Sequence, residues 1–407
     1  MNNKLVLAKE HYYSFNFLRA VAMLGVILYH TAGAYSFLAP YWPVQDKQSF
    51  IGDGLRELLV VFIMPFFFFI AGFFTLPSLR NNTIMNFIWN KFKRLGSYWI
   101  FIILIVIPFF IWKQLQLSGN YFDYWLSSLL SFKDIRVGPL TPSKYNHMHF
   151  WFISLLFYIF ILFGLFNKIA SVYHGKKVID KNKIYKNMTI FVLLTFGLLT
   201  AAADYIFIIF FPDSSWIVIP KVLQFNVNQL LILVLYFGFG VYSKYKEWFI
   251  KNDLPFKLNQ WISIALLLTI LYFIIGHDVF KNIDISNTLS PIYLLFFSLV
   301  RSFLLLSYLI MFLSLAMKYF IRKNTILTKI ADVSYEIYLV HIFIVGGFQV
   351  MFKRYASIPV VVKICTIFII ATFISYFFGK YTLKKYPKIS TVVMFILFFV
   401  LMVIFNR

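Results

Sequence analysis

The sequence predicts an all-α polytopic integral membrane protein, a bundle of about 10–11 transmembrane helices with its N-terminus in the cytoplasm. Hydrophobic residues make up 61% of the 407 residues and charged residues 13%, with a mean hydropathy of +0.79. Soluble domains carry roughly 25% charged residues. The apolar residues form unbroken runs of about 17 to 25, long enough to cross a hydrocarbon core. Such runs favour helices over the short alternating strands of a membrane barrel.

The apolar runs define the predicted membrane spans. In chain order they are 15–37, 57–76, 94–112, 150–166, 188–211, 225–243, 261–276, 291–317, 332–352, 360–380 and 390–405. The first ten form a core over about 15–380, and 390–405 is either a further span or a hydrophobic tail along the bundle. No small-residue cleavage site follows the first run, which predicts a retained span rather than a signal peptide. We therefore predict a single membrane domain over 1–407.

Loop charges predict the orientation of the spans. With the N-terminus inside, the cytoplasmic segments hold 24 basic residues and the external segments 11, as the positive-inside rule requires. The loop 113–149 is then external and the loop 167–187 is cytoplasmic. The same rule explains the net charge of +23 without a nucleic-acid partner. The single cysteine, Cys365, excludes an intramolecular disulfide and a cysteine metal cluster.

Ionisable residues inside the predicted spans are candidate functional residues, because they are costly there unless paired or hydrated. They are Arg19, His30, Asp204, Arg301, Glu336 and His341.

Arg19 and His30 are the strongest candidates, because they lie eleven residues apart in FNFLRAVAMLGVILYH. Eleven residues make three helical turns, so both side chains lie on one helix face, about 16 Å apart. A permanent cation near the cytoplasm can bind a phosphate, and a histidine deeper on the same face can take a proton from a hydroxyl. The simpler alternative is that Arg19 reaches lipid headgroups and His30 packs between helices.

Five segments of the chain form a recognisable series. The first is the pair Arg19 and His30, separated by ten residues. The others are the aromatic FFFFIAGFF at 66–74, the basic KFKR at 91–94, HFWFI at 149–153 and SYEIYLVH at 334–341. Together they resemble the membrane acyltransferase 3 family over most of the chain, most closely the branch containing glucan-biosynthesis protein C, and the resemblance implies a location in the inner (cytoplasmic) membrane.

This resemblance implies an O-acyltransferase with catalytic residues His30 and Arg19. The donor substrate would be acyl-coenzyme A, either acetyl-CoA or succinyl-CoA, with no metal and no permanently bound cofactor. The acceptor would be a sugar hydroxyl of a cell-envelope or exported glycan. No acyl-serine elbow Gly-x-Ser-x-Gly occurs, which favours direct transfer. Two alternatives remain open: a glycan exporter of the same superfamily, and a structural or sensory membrane protein.

The remaining motifs supply candidate substrate-binding residues. Lys91 and Arg94 can bind coenzyme A phosphates or act only as positive-inside anchors. Lys91 stands where the family has an arginine, and a lysine lacks the bidentate guanidinium. His149 and Trp151 form either an aromatic sugar-binding face or an interfacial anchor. Gly72 permits the close approach of another backbone.

The last motif places three candidates on one helix face. Ser334, Tyr338 and His341 lie at spacings of four and three residues. Glu336 is a candidate interfacial carboxylate, and we expect Asp332 to cap the N-terminus of this helix.

Overall fold

The structure is a computed structural model, and most of the residues that it describes are helical. It describes 2–40, 42–96, 99–100, 102–114, 121–130, 136–138, 147–174, 188–211, 215–219, 222–249, 254–281, 290–320, 326–386, 392 and 396. The α-helices are α1 (Asn2–Ala32), α2 (Phe50–Arg80), α3 (Ile84–Lys91), α4 (Ile107–Gln114), α5 (Tyr121–Leu130), α6 (Trp151–His174), α7 (Ile190–Phe210), α8 (Val227–Lys246), α9 (Leu258–Lys281), α10 (Pro291–Tyr319), α11 (Ile326–Asp332), α12 (Ser334–Lys353) and α13 (Val360–Phe378).

Among the described residues, nine helical segments are long and apolar enough to cross a membrane. They are Tyr13–Tyr35, Phe50–Arg80, Met148–Ile169, Ile190–Phe210, Val227–Lys246, Leu258–His277, Pro291–Tyr319, Ser334–Lys353 and Val360–Leu383. Each overlaps one of the predicted spans, so the all-α polytopic membrane fold is confirmed.

The predicted span 94–112 is helical where it is described, but its helix is irregular. The π-helical segments Phe92–Gly96 and Ile102–Val106 precede α4. A π-helical turn closes i→i+5 hydrogen bonds and changes the side-chain spacing of a regular α-helix. The predicted segment 390–405 lies, apart from positions 392 and 396, outside the described residues.

The chain divides into two compact units. Unit 1 comprises Met1–Phe67, Phe256–Phe280 and Phe303–Arg407, and unit 2 comprises Phe68–Pro255 and Lys281–Ser302. The prediction of a single membrane domain stays a prediction.

In unit 1, α1 packs against α11, α12 and α13, and α12 also packs along α13. The buried core is rich in aromatic side chains. Phe17 of α1 stacks on Phe320 with ring centroids 4.3 Å apart, and Phe62 lies 5.3 Å from the ring of Tyr308. Because α1 contacts three other helices, its inward face is set firmly within this unit.

In unit 2, two glycines let α2 and α8 cross at close range. A Cβ on Gly72 would collide with the carbonyl oxygen of Phe237, and a Cβ on Gly240 would collide with that of Phe69. The two contacts are reciprocal, since each glycine lies against the backbone of the other helix. Small residues allow such approach between membrane helices, so the prediction for Gly72 is confirmed.

Unit 2 also contains a three-stranded antiparallel sheet, which the sequence analysis did not predict. Its strands are β1 (Arg136–Gly138), β2 (Trp216–Ile219) and β3 (Leu223–Asn226), in the order β1-β2-β3. Arg136 pairs with Val218, and Trp216 pairs with Asn226. β1 and β2 lie in segments predicted to be external, and β3 runs from such a segment into the start of the predicted span 225–243.

Candidate active site

The sequence-predicted site residues fall into two groups, one in each unit. Unit 1 holds Arg19, His30, Ser334, Tyr338 and His341, and unit 2 holds Lys91, Arg94, His149 and Trp151.

Arg19 and His30 lie on one continuous helix, as predicted, because α1 runs unbroken from Asn2 to Ala32. The Arg19 side chain is half-buried, and its Nη1 lies 3.5 Å from Oδ1 of the buried Asn16. His30 is only 8% exposed and lies in the last turn of the helix. The helix thus places a cation and a buried imidazole about 16 Å apart along one axis.

His30 is surrounded by rings. The Trp42 ring stacks on it with centroids 5.2 Å apart and an interplanar angle of 28°, and the Tyr29 ring meets it edge-on at 5.4 Å. The ring of His341 lies 5.2 Å away, tilted by 45°. The structure therefore brings together the two membrane histidines that the sequence analysis selected. Tyr29 is itself fixed by Arg56, whose Nη2 donates to its hydroxyl at 2.9 Å.

His341 is fully buried, and the backbone of its own helix sets its tautomer. Its Nδ1 lies 2.8 Å from the carbonyl oxygen of Tyr338 and 3.2 Å from that of Ile337. A carbonyl oxygen only accepts hydrogen bonds, so Nδ1 carries the hydrogen of the neutral ring. The lone pair of that ring is therefore on Nε2, which can accept a proton or a hydrogen bond.

Ser334, Tyr338 and His341 lie on one regular helix, as the predicted shared face requires, and all three are buried. The rings of Tyr338 and His341 lie 5.7 Å apart. The predicted cap is wrong, since the N-cap residue of α12 is Val333 and makes no side-chain cap hydrogen bond. Asp332 ends α11 instead, and its carbonyl oxygen accepts a hydrogen bond of 2.7 Å from Lys384.

In unit 2, Lys91 and Arg94 have different surroundings. Lys91 ends α3 and points at aromatic rings, with Nζ 4.2 Å from the ring centroid of Phe160 and 5.3 Å from that of Phe87. Arg94 is exposed and lies in the π-helical segment. Burial lowers the pKa of Lys91 to about 8, and the nearby charge of Arg94 lowers it as well. Lys91 is thus a cation that releases its proton more easily than a solvated lysine.

His149 and Trp151 lie at the N-terminal end of the fourth predicted span. His149 is part of the 3-10 turn Met148–Phe150, with its ring centroid 3.8 Å from that of Phe150. Trp151 is 9% exposed and packs edge-to-face on Trp216 of the sheet, with centroids 5.5 Å apart. Trp151 therefore packs against protein, and the sugar-binding role of this pair stays a prediction.

His147, two residues earlier, is a buried histidine that the motif comparison passed over. Its backbone N–H donates to Oε1 of Gln224, which follows the start of β3. Burial lowers the pKa of the His147 imidazole to about 3, so this ring is neutral at physiological pH. No local signal identifies it, because its backbone N–H bonds to a strand residue 77 positions away and its ring lies 6.2 Å from that of Trp99.

Asp204 and Arg301, both selected from the sequence, pair with each other in unit 2. Arg301 Nε donates to Oδ2 of Asp204 at 2.9 Å, and Arg301 Nη2 donates to Oδ1. Asp204 is fully buried. A bidentate pair of this kind satisfies two charges that would otherwise be costly within a membrane, which gives both residues a structural role.

A second buried ion pair, in unit 1, was missed by the sequence analysis. Lys363 of α13 is 1% exposed, and its Nζ lies 2.6 Å from Oδ2 of Asp46. Lys363 lies within the predicted span 360–380. The criterion that selected Asp204 would therefore have selected it too. Asp46, in contrast, lies in a predicted external loop and carried no such signal.

Comparison with known proteins identifies one family. Its model, described as an acyltransferase domain, matches residues 12–406. No curated protein and no solved structure matches the chain. Among the described residues, no three His, Cys, Asp or Glu side chains lie together so as to hold a metal ion.

Proposed function

The chain belongs to this acyltransferase family and is a membrane acyltransferase, and on that premise we propose its substrates and its general base. The acyl donor is cytoplasmic acetyl-CoA or succinyl-CoA. The acceptor is a hydroxyl group of a cell-envelope or exported glycan, and the enzyme lies in the inner membrane. His30 removes the proton of that hydroxyl.

The observation that carries the proposal is the buried imidazole of His30, enclosed by the rings of Trp42, Tyr29 and His341. Imidazole titrates near neutrality, which suits it to accept a proton from a hydroxyl and return it. A site closed by aromatic rings also limits the water that could hydrolyse a thioester.

The proposed reaction is a direct acyl transfer. The acceptor oxygen attacks the thioester carbonyl carbon while its proton moves to His30. The carbon–sulfur bond then breaks, an ester forms on the glycan, and the leaving coenzyme A sulfur takes the proton from the His30 imidazolium to become the thiol. His30 thus starts and ends the cycle neutral, and no covalent acyl-enzyme is needed.

The neighbours of His30 on α12 are proposed to position the substrates. His341 holds its Nε2 lone pair ready to accept a hydrogen bond, because its Nδ1 hydrogen is directed to backbone carbonyls. Tyr338 lies beside it, and Ser334 lies one turn before Tyr338 on the same buried face.

Cations are proposed to bind the phosphates of the donor. Arg19 offers a planar guanidinium on the helix that carries His30, and a guanidinium matches phosphate geometry in a bidentate way. In unit 2, Lys91 and Arg94 offer two more charges. His149 and Trp151 are proposed as glycan-binding residues.

Complementation of a deletion strain tests this function. We expect the surface glycan of the deletion strain to be exported without its ester-linked acetyl or succinyl groups, and the wild-type gene to restore them. Mild alkaline release of acyl groups from the purified glycan measures the result. Loss of the glycan itself from the cell surface, with normal acylation of the intracellular pool, would overturn the proposal and indicate an exporter.

A further inference from the structure

Gln349 is a buried amide that joins three parts of unit 1. It lies on α12 two turns after His341 and is fully buried. Its Nε2 donates to the carbonyl oxygens of His30 and Thr31, each at 3.0 Å. Its Oε1 accepts a hydrogen bond of 2.9 Å from Nε1 of Trp42. An amide within a membrane helix is costly unless bonded, and these three bonds satisfy it.

The two carbonyl groups bound by Gln349 belong to the end of α1. The last four carbonyls of a helix have no partner within it, and α1 ends at Ala32. Gln349 therefore caps the helix turn that carries His30. Glutamine suits this position because it donates two hydrogens and accepts at the same time, which an ionised glutamate or a leucine cannot do.

The ring of Trp42 is held by contacts with the end of α1. It stacks on the ring of His30. It also lies against Gly33, where an added Cβ would come within 2.6 Å of Trp42 Cδ2. Its backbone is fixed as well, since its carbonyl oxygen accepts a 3.0 Å hydrogen bond from Gln45 Nε2. Together with the hydrogen bond from the indole N–H to Gln349, these contacts fix the orientation of the ring.

We propose that Gln349 and Trp42 are positioning residues that hold the His30 imidazole in the orientation required for proton transfer. The role rests on the proposed function of His30. Gln349 fixes the backbone of the helix turn, and Trp42 fixes the plane of the ring. The indole face also stabilises the imidazolium that forms when His30 takes the proton, since an aromatic face attracts a cation.

Three variants of the full-length purified protein test this role. Gln349→Met keeps the side-chain length but removes every hydrogen bond, Trp42→Leu removes the ring, and Trp42→Phe keeps a ring face against His30. The donor probes are radiolabelled acetyl-CoA and succinyl-CoA, and the acceptor is envelope glycan purified from the deletion strain. We expect kcat to fall about 10- to 100-fold in Gln349→Met and Trp42→Leu, as for a displaced catalytic group, with donor KM unchanged.

The conservative variant and a matched control separate positioning from stability. Trp42→Phe keeps the ring face but loses the hydrogen bond from the indole N–H to Gln349, so it should retain clearly more of the wild-type kcat than Trp42→Leu. Trp261→Leu removes a buried tryptophan of the same unit that packs on Phe256, and it should lower Tm without lowering kcat. If Gln349→Met does not fold, the comparison of kcat between Trp42→Leu and Trp42→Phe tests the positioning role by itself.

Three results would overturn the positioning role. These are a wild-type kcat in Gln349→Met and Trp42→Leu, an equal loss of kcat in Trp42→Phe and Trp42→Leu, or a raised donor KM with unchanged kcat. A wild-type protein that transfers neither acyl group would instead overturn the proposed function and, with it, this role.

Discussion

At the scale of single residues, the two membrane histidines are held in different ways, which supports the different roles proposed for them. His341 is fixed by its own helix, because its Nδ1 is held 2.8 Å from a backbone carbonyl. His30 is fixed by its neighbours, chiefly the stacked ring of Trp42. The role of general base, which must both accept and release a proton, therefore fits His30 better. The role of orienting a substrate fits His341.

The lowered pKa of Lys91 predicts a pH-dependent donor affinity. As pH rises from 7 to 9, the ammonium group passes its pKa of about 8 and loses its charge, so one proposed phosphate contact weakens. We expect KM for acetyl-CoA to rise several-fold, because the donor loses one charge-assisted hydrogen bond. Lys91→Arg keeps its charge throughout this range and should abolish the rise.

Steady-state kinetics across this pH range measure the effect, with Lys93→Arg as the control. Lys93 is exposed and lies over the ring of Trp89. A wild-type KM that stays constant between pH 7 and 9, or a rise that persists in Lys91→Arg, would show that Lys91 does not bind the donor.

At the scale of secondary-structure elements, the reciprocal contacts of Gly72 and Gly240 fix the crossing of α2 and α8. Each glycine lies against a backbone carbonyl of the other helix. Neither carbonyl can rotate aside without breaking helical hydrogen bonds, so an added methyl group must separate the helices. The motif FFFFIAGFF therefore has a packing function in addition to its family resemblance.

Two alanine substitutions on α8 test this crossing. Gly240→Ala should lower Tm, since overpacking costs about 1–3 kcal/mol. Gly238→Ala, two residues away on the same helix, places its methyl group where nothing lies within 4 Å. That control should keep or raise Tm, because alanine is favoured over glycine in helices by about 1 kcal/mol. Equal melting temperatures of the two variants, measured in the same detergent, would contradict the close crossing.

The elements that the sequence did not predict are short or irregular. The strands of the sheet are three or four residues long, too short for an alternating pattern to be recognised beside long apolar runs. The third predicted span is apolar enough to be found, but hydropathy carries no information about the π-helical segments Phe92–Gly96 and Ile102–Val106.

At the scale of the whole molecule, the sequence predicts the membrane fold and the family, and it predicts the site in part. Spans follow from apolar run length, which is a local property, and nine are confirmed among the described residues. The motif in α1 and the motif in α12 pointed to His30 and His341, which the structure brings together. The orientation set by the loop charges stays a prediction.

The residues that could not be predicted make contacts between distant parts of the chain. Gln349 and Trp42 are 307 positions apart, and Lys363 and Asp46 are 317 apart. A glutamine or a loop tryptophan gives no signal of its own in a single sequence. Their importance follows only from the fold, which packs α12 and α13 against α1.

Acyl transfer by the purified His30→Ala variant tests the central claim most directly. Radiolabelled acetyl-CoA or succinyl-CoA is the donor, deacylated envelope glycan is the acceptor, and the label in the glycan is counted. General base catalysis contributes about 10²- to 10⁴-fold, so transfer by His30→Ala should fall by that factor while donor binding stays at the wild-type level. His341→Ala should lose less. Wild-type transfer by His30→Ala, at equal amounts of folded protein, would contradict the assignment of His30 as the general base.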